Sequence, residues 1–188
     1  MDTTIIDKAL QVLQKGGILL YPTDTIWGLG CDATNVAAIE KIYSIKKRDA
    51  SKSMLILCLD VKQVKNYVVS FPKAAEDLLL HAQRPTTIIY PQACNLPDVL
   101  VANDGSIGIR IPDMEFCAEL LRRFGKPIVS TSANFSGIPS PVGYDDISPK
   151  LKDMVDYAVP NMPEFVGSDT GSRILKVEAD GSITVIRN

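Results

Sequence analysis

Histidine and paired cysteines, from which many catalytic and metal sites are built, are scarce in this chain of 188 residues. The one histidine, His81, leaves no second histidine for a metal pair. It falls on a predicted helix far from any nucleophile motif, which favours a surface or boundary position. No two cysteines have a CxxC spacing, so we expect buried free thiols rather than zinc or disulfides. The cysteines are Cys31, Cys58, Cys94 and Cys117.

Excess charge of one sign and long apolar runs are also lacking. The net charge is −2 at pH 7, so no field over the whole protein attracts nucleic acid or a membrane, and any anion site must be local. No apolar run is long enough to span a bilayer. The first residues lack the basic and apolar regions of a signal peptide. We therefore expect a cytoplasmic protein that forms one domain over residues 1–188.

Nucleotide-binding motifs are missing or out of place. A Walker A sequence does not occur. The residues Gly28–Ala33 spell GxGxxA, but six residues separate the first glycine from the preceding strand, whereas the dinucleotide motif follows its strand closely. The acidic ribose ligand of that motif is also misplaced, since Asp60 is the nearest candidate and comes late. A nicotinamide-dependent dehydrogenase therefore ranks below the two functions that are described at the end of this section.

The most informative stretch runs from Leu20 to Leu57. An apolar run ends at Tyr21 and proline follows, and then Thr23-Asp24-Thr25 offers two hydroxyls and a carboxylate. Gly28 and Gly30 predict either a close approach of the backbone to another group or positive φ angles. The turn lies at the end of a predicted buried strand, where open α/β sheets bind their ligands.

A cluster of cations follows the helix that begins near Val36. Lys46, Lys47, Arg48 and Lys52 precede a second apolar run over residues 54–59. Such a cluster often only complements the helix dipole and stays in solvent. Its position one strand away from the threonine turn supports the other interpretation, an anion-binding site.

Small polar side chains crowd the segment that follows a short predicted strand at residues 127–129. Serine, threonine and asparagine fill five of the seven positions 130–136. This composition is typical of a ligand-binding loop, and equally of a turn rich in capping residues.

Helices and strands alternate along most of the chain. Strands are predicted at residues 18–21, 54–59, 86–90, 106–111, 127–129 and 155–159. The chain then ends in a hairpin around Asp180-Gly181. In residues 106–111 three isoleucines share one face, and Arg110 points to the other. We therefore predict an α/β fold with a twisted, mixed parallel and antiparallel sheet and flanking helices.

Four segments resemble the YrdC-type family, the threonylcarbamoyl-AMP synthases. They are YPTDTIWGLGCDA, KKRDASKSM, IGIRIP and KPIVSTSANFSG. They contain the family signatures Lys-x-Arg (Lys46, Arg48) and Ser-x-Asn (Ser132, Asn134) in the right order. The resemblance implies an open, mixed sheet around a concave, positively lined cavity, in the short single-domain form.

The resemblance implies a nucleotidyltransferase that joins L-threonine, bicarbonate or CO2, and ATP into L-threonylcarbamoyladenylate and releases pyrophosphate. Mg²⁺ accompanies ATP, and no metal ligand from the protein is predicted. A separate transferase complex then uses the product to modify tRNA. The alternative is a YrdC-like module that binds RNA or nucleotide without synthase activity, against which the retained signature residues argue.

The same resemblance assigns roles to individual residues. Lys46 and Arg48 are the predicted catalytic residues. The predicted ATP-binding residues are Arg48, Lys52, Ser106, Ser132, Asn134 and Ser140. The predicted threonine-binding residues are Thr25, Arg110, Ser130 and Ser172. Of these, Arg110 would pair with the threonine carboxylate through two parallel hydrogen bonds.

Overall fold

A computed structural model describes residues 3–49, 53–161, 165, 168 and 170–188. Within these residues the helices are α1 (Thr3–Gln14), α2 (Val36–Lys46), α3 (Val61–Val64), α4 (Lys73–Leu80), α5 (Glu115–Phe124) and α6 (Pro149–Lys152). The strands are β1 (Leu19–Tyr21), β2 (Gly28–Gly30), β3 (Leu55–Leu57), β4 (Thr86–Tyr90), β5 (Ile107–Arg110), β6 (Ile128–Ser132), β7 (Tyr157–Ala158), β8 (Arg173–Val177) and β9 (Ile183–Arg187).

The described strands form one mixed sheet in the order β7-β1-β2-β6-β3-β5-β4-β8-β9. The pairs β1–β7, β3–β5 and β4–β8 are parallel, and the other neighbours are antiparallel. Helix α1 packs against α5 and against β1 beside the sheet. The predicted mixed α/β sheet with flanking helices is confirmed.

Two local predictions differ from the structure at the centre of the sheet. The sequence did not predict β2, and it placed residues 130–132 in a loop, whereas β6 continues to Ser132. The two differences have one cause, because β2 pairs with the end of β6 through Gly28↔Ser132 and Leu29↔Thr131. Strand pairing therefore holds Ser130 and Ser132 in an extended strand, although the local composition predicted a loop.

Gly30 is required because the backbone of β2 passes very close to its neighbours. A Cβ atom at this position would lie 2.6 Å from Tyr21 Cε1 and 2.6 Å from Val129 O. Positive φ angles in the described chain occur at other residues and not at Gly28 or Gly30. Of the two predictions for these glycines, the close approach is therefore correct and the positive φ is wrong.

Replacing Gly30 with alanine should destabilise the protein by about 3 kcal/mol, since the backbone carbonyl of Val129 cannot move aside as a flexible side chain would. Thermal unfolding would measure the loss as a fall in Tm of roughly 5–10 °C. Gly143→Ala is a matched control, because its added Cβ would meet its nearest neighbour only at 3.8 Å. Equal Tm values for the two variants would contradict the steric argument.

The cation cluster is positioned by the two ends of α2. Asn35 caps the N-terminus by accepting a hydrogen bond from Ala38 N at 3.1 Å. At the other end Lys47 adopts the left-handed conformation with φ 50°, and Arg48 N donates to Tyr43 O at 3.0 Å. This turn ends the helix and reverses the chain beside the sheet.

Among the helices that the structure describes, none combines the length and the apolar character needed to cross a membrane.

Candidate active site

A cavity of about 300 Å³ lies on one face of the sheet. Neighbouring residues of a strand point to opposite faces, and the alternate residues that face the cavity are mostly small or polar. Their neighbours on the other face, Ile88, Ile109 and Val129, are buried in the core. The strand residues that line the cavity include Thr87, Ile89, Gly108, Arg110, Ser130 and Ser132.

Eight of the residues that the sequence predicted for the site line this cavity. The structure thus brings together side chains from the β1–β2 turn, from the end of α2, from β5 and β6, and from the loops before β5 and β8. Lys46 and Asn134 are not among the lining residues, and Lys52 lies outside the described residues. The eight are Thr25, Arg48, Ser106, Arg110, Ser130, Ser132, Ser140 and Ser172.

Lys46 is buried and holds the Ser-x-Asn segment in place. Only 1% of the residue is exposed. Its ammonium group donates to Ser132 O at 2.5 Å, Asn134 O at 2.7 Å and Asn134 Oδ1 at 3.2 Å. The hydroxyl of Ser132 also donates to Asn134 Oδ1, at 2.5 Å. A solvated helix end is therefore the wrong interpretation for Lys46, although Lys47 is exposed as that interpretation expects.

The environment of Lys46 disfavours its charge. Burial, with a further contribution from the neighbouring Arg48 charge, lowers the pKa of Lys46 to about 8. The three acceptor contacts favour the charged form but do not outweigh the loss of solvent. The charge of this amine therefore changes within the range in which enzymes are commonly assayed.

Between pH 8 and 9, the slope of the free energy of unfolding against pH should be more positive in the wild-type protein than in Lys46→Met. An unfolded lysine keeps its proton up to its ordinary pKa of 10.5, whereas folded Lys46 releases it from about pH 8. The unfolded state then binds more protons, so stability increases with pH. The pKa values of the buried cysteines are raised from 9.0, so the cysteines oppose this trend in the same window, but they do so equally in both proteins, and the difference between the two slopes isolates Lys46. Urea unfolding across this window measures both slopes, and equal slopes would contradict the lowered pKa.

Arg110 lines the cavity and is 3% exposed. Its Nη1 donates to Thr25 Oγ1 at 2.8 Å, and Nη2 donates to Thr23 Oγ1 at 3.4 Å. Nη1 also lies 3.0 Å from Asp24 Oδ1 in a buried ion pair. This contact lacks hydrogen-bond geometry, and Arg110 Nε likewise has no hydrogen-bond partner among the described residues. The guanidinium is thus held rigidly and keeps a donor that is unused.

Arg48 reaches the cavity from the segment after α2. Its Nη2 donates to Ser53 O at 3.0 Å, which fixes the guanidinium against the chain that leads into β3. The residue is half-buried, as expected for one that lines an open cavity.

Arg187, which the sequence analysis missed, adds a third guanidinium to the cavity. It lies on β9 and donates to Ser172 O from Nε at 3.0 Å and from Nη2 at 2.6 Å. The hydroxyls of Ser172 and Thr87 share a hydrogen bond of 2.7 Å. Burial and the nearby Arg110 charge lower the pKa of Arg187. No local motif indicated this residue, because only the pairing of β9 with β8 brings it to the site.

Trp27 and His81 are both held by contacts with other residues of the protein. Trp27 is 6% exposed and packs against Tyr144, with ring centroids 4.8 Å apart, while one edge lines the cavity. His81 follows α4, is exposed, and shares a hydrogen bond of 2.8 Å with Asp77 O. The predicted surface position of the histidine is confirmed.

The described lining of the cavity contains three arginines and no carboxylate. Cys31, Cys58 and Cys117 are buried free thiols, as predicted, and Cys94 is a half-buried one. The described residues contain no group of three or more histidine, cysteine, aspartate or glutamate side chains placed to hold a metal ion. The fold and the cavity therefore define a mixed α/β protein with a polar, arginine-lined pocket suited to an anionic ligand.

The sequence pattern of the Sua5, YciO and YrdC family, described as telomere recombination, matches residues 11–188, and the chain belongs to this family. A threonylcarbamoyl-AMP synthase of Pseudoalteromonas translucida (strain TAC 125) is 30% identical over 186 residues, which cover 97% of this chain and 97% of the relative.

Two solved structures have the same fold. YciO of E. coli superposes with a TM-score of 0.83 at 24% identity, covering 100% of this chain and 90% of that protein. Sua5 of P. abyssi, in a complex with L-threonine, gives a TM-score of 0.82 at 24% identity, with 92% of this chain covered. The chain spans 50% of that Sua5 protein.

Proposed function

We propose that this protein is an enzyme, an L-threonylcarbamoyladenylate synthase, which joins L-threonine, bicarbonate or CO2, and ATP. The name of the relative from Pseudoalteromonas translucida, similar over 97% of the chain, supports this reaction. The structural observation that carries the proposal is one cavity in which three guanidinium groups meet a set of serine and threonine hydroxyls. Such a cavity suits the carboxylate and phosphate groups that this reaction must hold together.

The chemistry proceeds in two steps. The amine of threonine attacks CO2, loses a proton and becomes a carbamate. A carbamate oxygen then attacks the α-phosphorus of ATP, and the bond to the β-phosphate oxygen breaks, so that pyrophosphate leaves with that bonding pair. Phosphoryl chemistry of this kind depends mainly on positioning and on stabilising negative charge. We accordingly class the enzyme as a nucleotidyltransferase.

We place threonine beside Arg110. Its rigid guanidinium lines the cavity and suits the substrate carboxylate. Thr25 and Ser130 line the same part of the cavity, and Ser172 reaches it from the loop before β8. These hydroxyls can orient the amine and side-chain hydroxyl of the substrate.

We place ATP along Arg48 and the Ser-x-Asn segment. Arg48 would bind the phosphates and stabilise the charge that develops on pyrophosphate. Lys46 would support the reaction by fixing the carbonyl groups of Ser132 and Asn134 and by adding positive charge behind them. Ser106, Ser132 and Ser140 supply hydroxyls, Asn134 holds the hydroxyl of Ser132, and Lys52 completes the proposed ATP set.

We further propose that residues 1–188 form one domain that works in the cytoplasm. Since the described lining lacks carboxylates, Mg²⁺ would be held mainly by the ATP phosphates and water. A separate transferase complex would use the product to modify tRNA, and direct binding of tRNA is part of the same proposal.

Pyrophosphate release from ATP, with bicarbonate and Mg²⁺, tests the proposed reaction. We expect release that requires L-threonine and is much slower with serine, which lacks the methyl group. No release in any mixture from folded protein would contradict the synthase activity. RNA binding that weakens steeply with salt, without ATP turnover, would instead support the alternative of a binding module.

A further inference from the structure

A second cavity, of about 570 Å³, lies on the opposite face of the sheet from the candidate active site. Thr87 and Arg110 are direct cross-strand partners and line the first cavity. Their neighbours Thr86 and Ile111 line the second cavity. Because adjacent residues of a strand point to opposite faces, the sheet itself separates the two cavities.

The second cavity combines apolar walls with excess negative charge. Val61, Leu79, Pro85 and Ile111 supply apolar surface from α3, α4 and the strand ends. Leu80 also lines the cavity and is 74% exposed, so it adds accessible apolar surface.

Three carboxylates and one guanidinium line this cavity. Glu76 and Asp113 have no ion-pair partner within the part of the chain that the structure describes. Arg84, the one cation in the lining, donates through Nη2 to Asn188 Oδ1 at 3.1 Å. The cavity therefore favours a positively charged ligand.

Asp24 connects the second cavity to the first. Its side chain is 6% exposed and lines the second cavity, while its partner Arg110 lines the first. Asp24 Oδ2 accepts a hydrogen bond from Asp113 N at 3.2 Å. Its Oδ1 lies 3.0 Å from Arg110 Nη1 but accepts no hydrogen bond from any described residue. Oδ1 is enclosed against Arg110, so a ligand in the second cavity acts on Asp24 through its charge and not through a hydrogen bond to this oxygen.

We propose that the second cavity binds an organic cation, an ammonium group on an apolar body, and that its binding is linked to the first cavity through Asp24. A bare metal ion fits less well, because the described carboxylates are not grouped as metal ligands. The positive charge of an ammonium beside Asp24 would offset part of the negative charge that now neutralises Arg110. The first cavity then becomes more positive and holds a carboxylate more tightly.

The probe for the site is n-pentylammonium, titrated into the whole protein without substrates and followed by amide NMR shifts. We expect saturable shifts around Thr86 and Ile111, with n-pentanol binding at least about fivefold more weakly, since it has the same body without the charge. The double variant Glu76→Gln, Asp113→Asn should weaken pentylammonium to a similar extent. Glu40→Gln, at an exposed position on α2 outside both cavities, should have no effect. Equal binding of the alcohol and the amine, or unchanged binding by the double variant, would overturn the site.

The linkage is tested by titrating L-threonine with and without saturating pentylammonium, and this part rests on the proposed function. We expect threonine to bind at least about twofold more tightly with the cation present, and the reciprocal effect on pentylammonium. Unchanged threonine affinity would overturn the linkage. Failure of threonine to bind at all would contradict the proposed function, whereas the substrate-free titration would still decide the second site.

Discussion

Replacing Arg110 with lysine should weaken the binding of L-threonine by about ten- to a hundredfold, which corresponds to the loss of one hydrogen bond to a charged group. The guanidinium contacts Thr25, Thr23 and Asp24 at once and still has Nε unused. A lysine ammonium is a point charge on a flexible stem, so it cannot hold this turn and a substrate carboxylate together. Threonine titration by calorimetry, and the KM for threonine, would both report the change.

Lysine is the informative substitution because it keeps a positive charge beside Asp24. Arg110→Ala would leave that carboxylate buried without a partner, which costs about 3–5 kcal/mol and would confuse binding with folding. Arg123→Lys is the matched control, since Arg123 pairs with Asp7 on the surface away from the cavity. Threonine affinity that is equal in the wild-type protein and Arg110→Lys would remove Arg110 from the substrate site.

The sequence correctly predicted those elements whose own residues favour the observed structure. The β-branched run Thr86–Tyr90 is a strand with the predicted bounds, and the hairpin forms around Asp180-Gly181 as expected. Strand β2 could not be predicted, because Gly-Leu-Gly has low strand propensity. It forms because β1 lies beside it across a short turn and because Thr131 of β6, which is distant in sequence, pairs with its other side.

The same distinction applies to the candidate site. Motif residues such as Thr25 and Ser132 could be predicted because the signal lies in a few consecutive positions. The surroundings of Lys46 could not, since a charge pattern does not distinguish a buried amine that binds carbonyl oxygens from a solvated one. Arg187 was missed for a third reason: it enters the cavity only through the pairing of the last two strands.

Replacing Arg48 with alanine should raise the KM for ATP by about ten- to a hundredfold and leave the fold intact. Its guanidinium lines the cavity after the end of α2, where the proposed phosphates lie, and its Nη2 donates to Ser53 O. Losing that bond costs only about 1 kcal/mol of stability. Pyrophosphate release at low and at saturating ATP separates the effect on ATP binding from the effect on turnover.

The neighbouring lysine supplies an independent test of this change. Because the Arg48 charge helps to lower the pKa of Lys46, Arg48→Ala should move to higher pH the range in which Lys46 contributes a positive slope of stability against pH. Arg122→Ala is the matched control, since Arg122 is exposed and pairs only with Glu119 in the described structure. An unchanged KM for ATP would contradict the phosphate-binding role even if the pKa of Lys46 rises. The two measurements together thus separate the field that Arg48 exerts on the protein from its contact with the substrate.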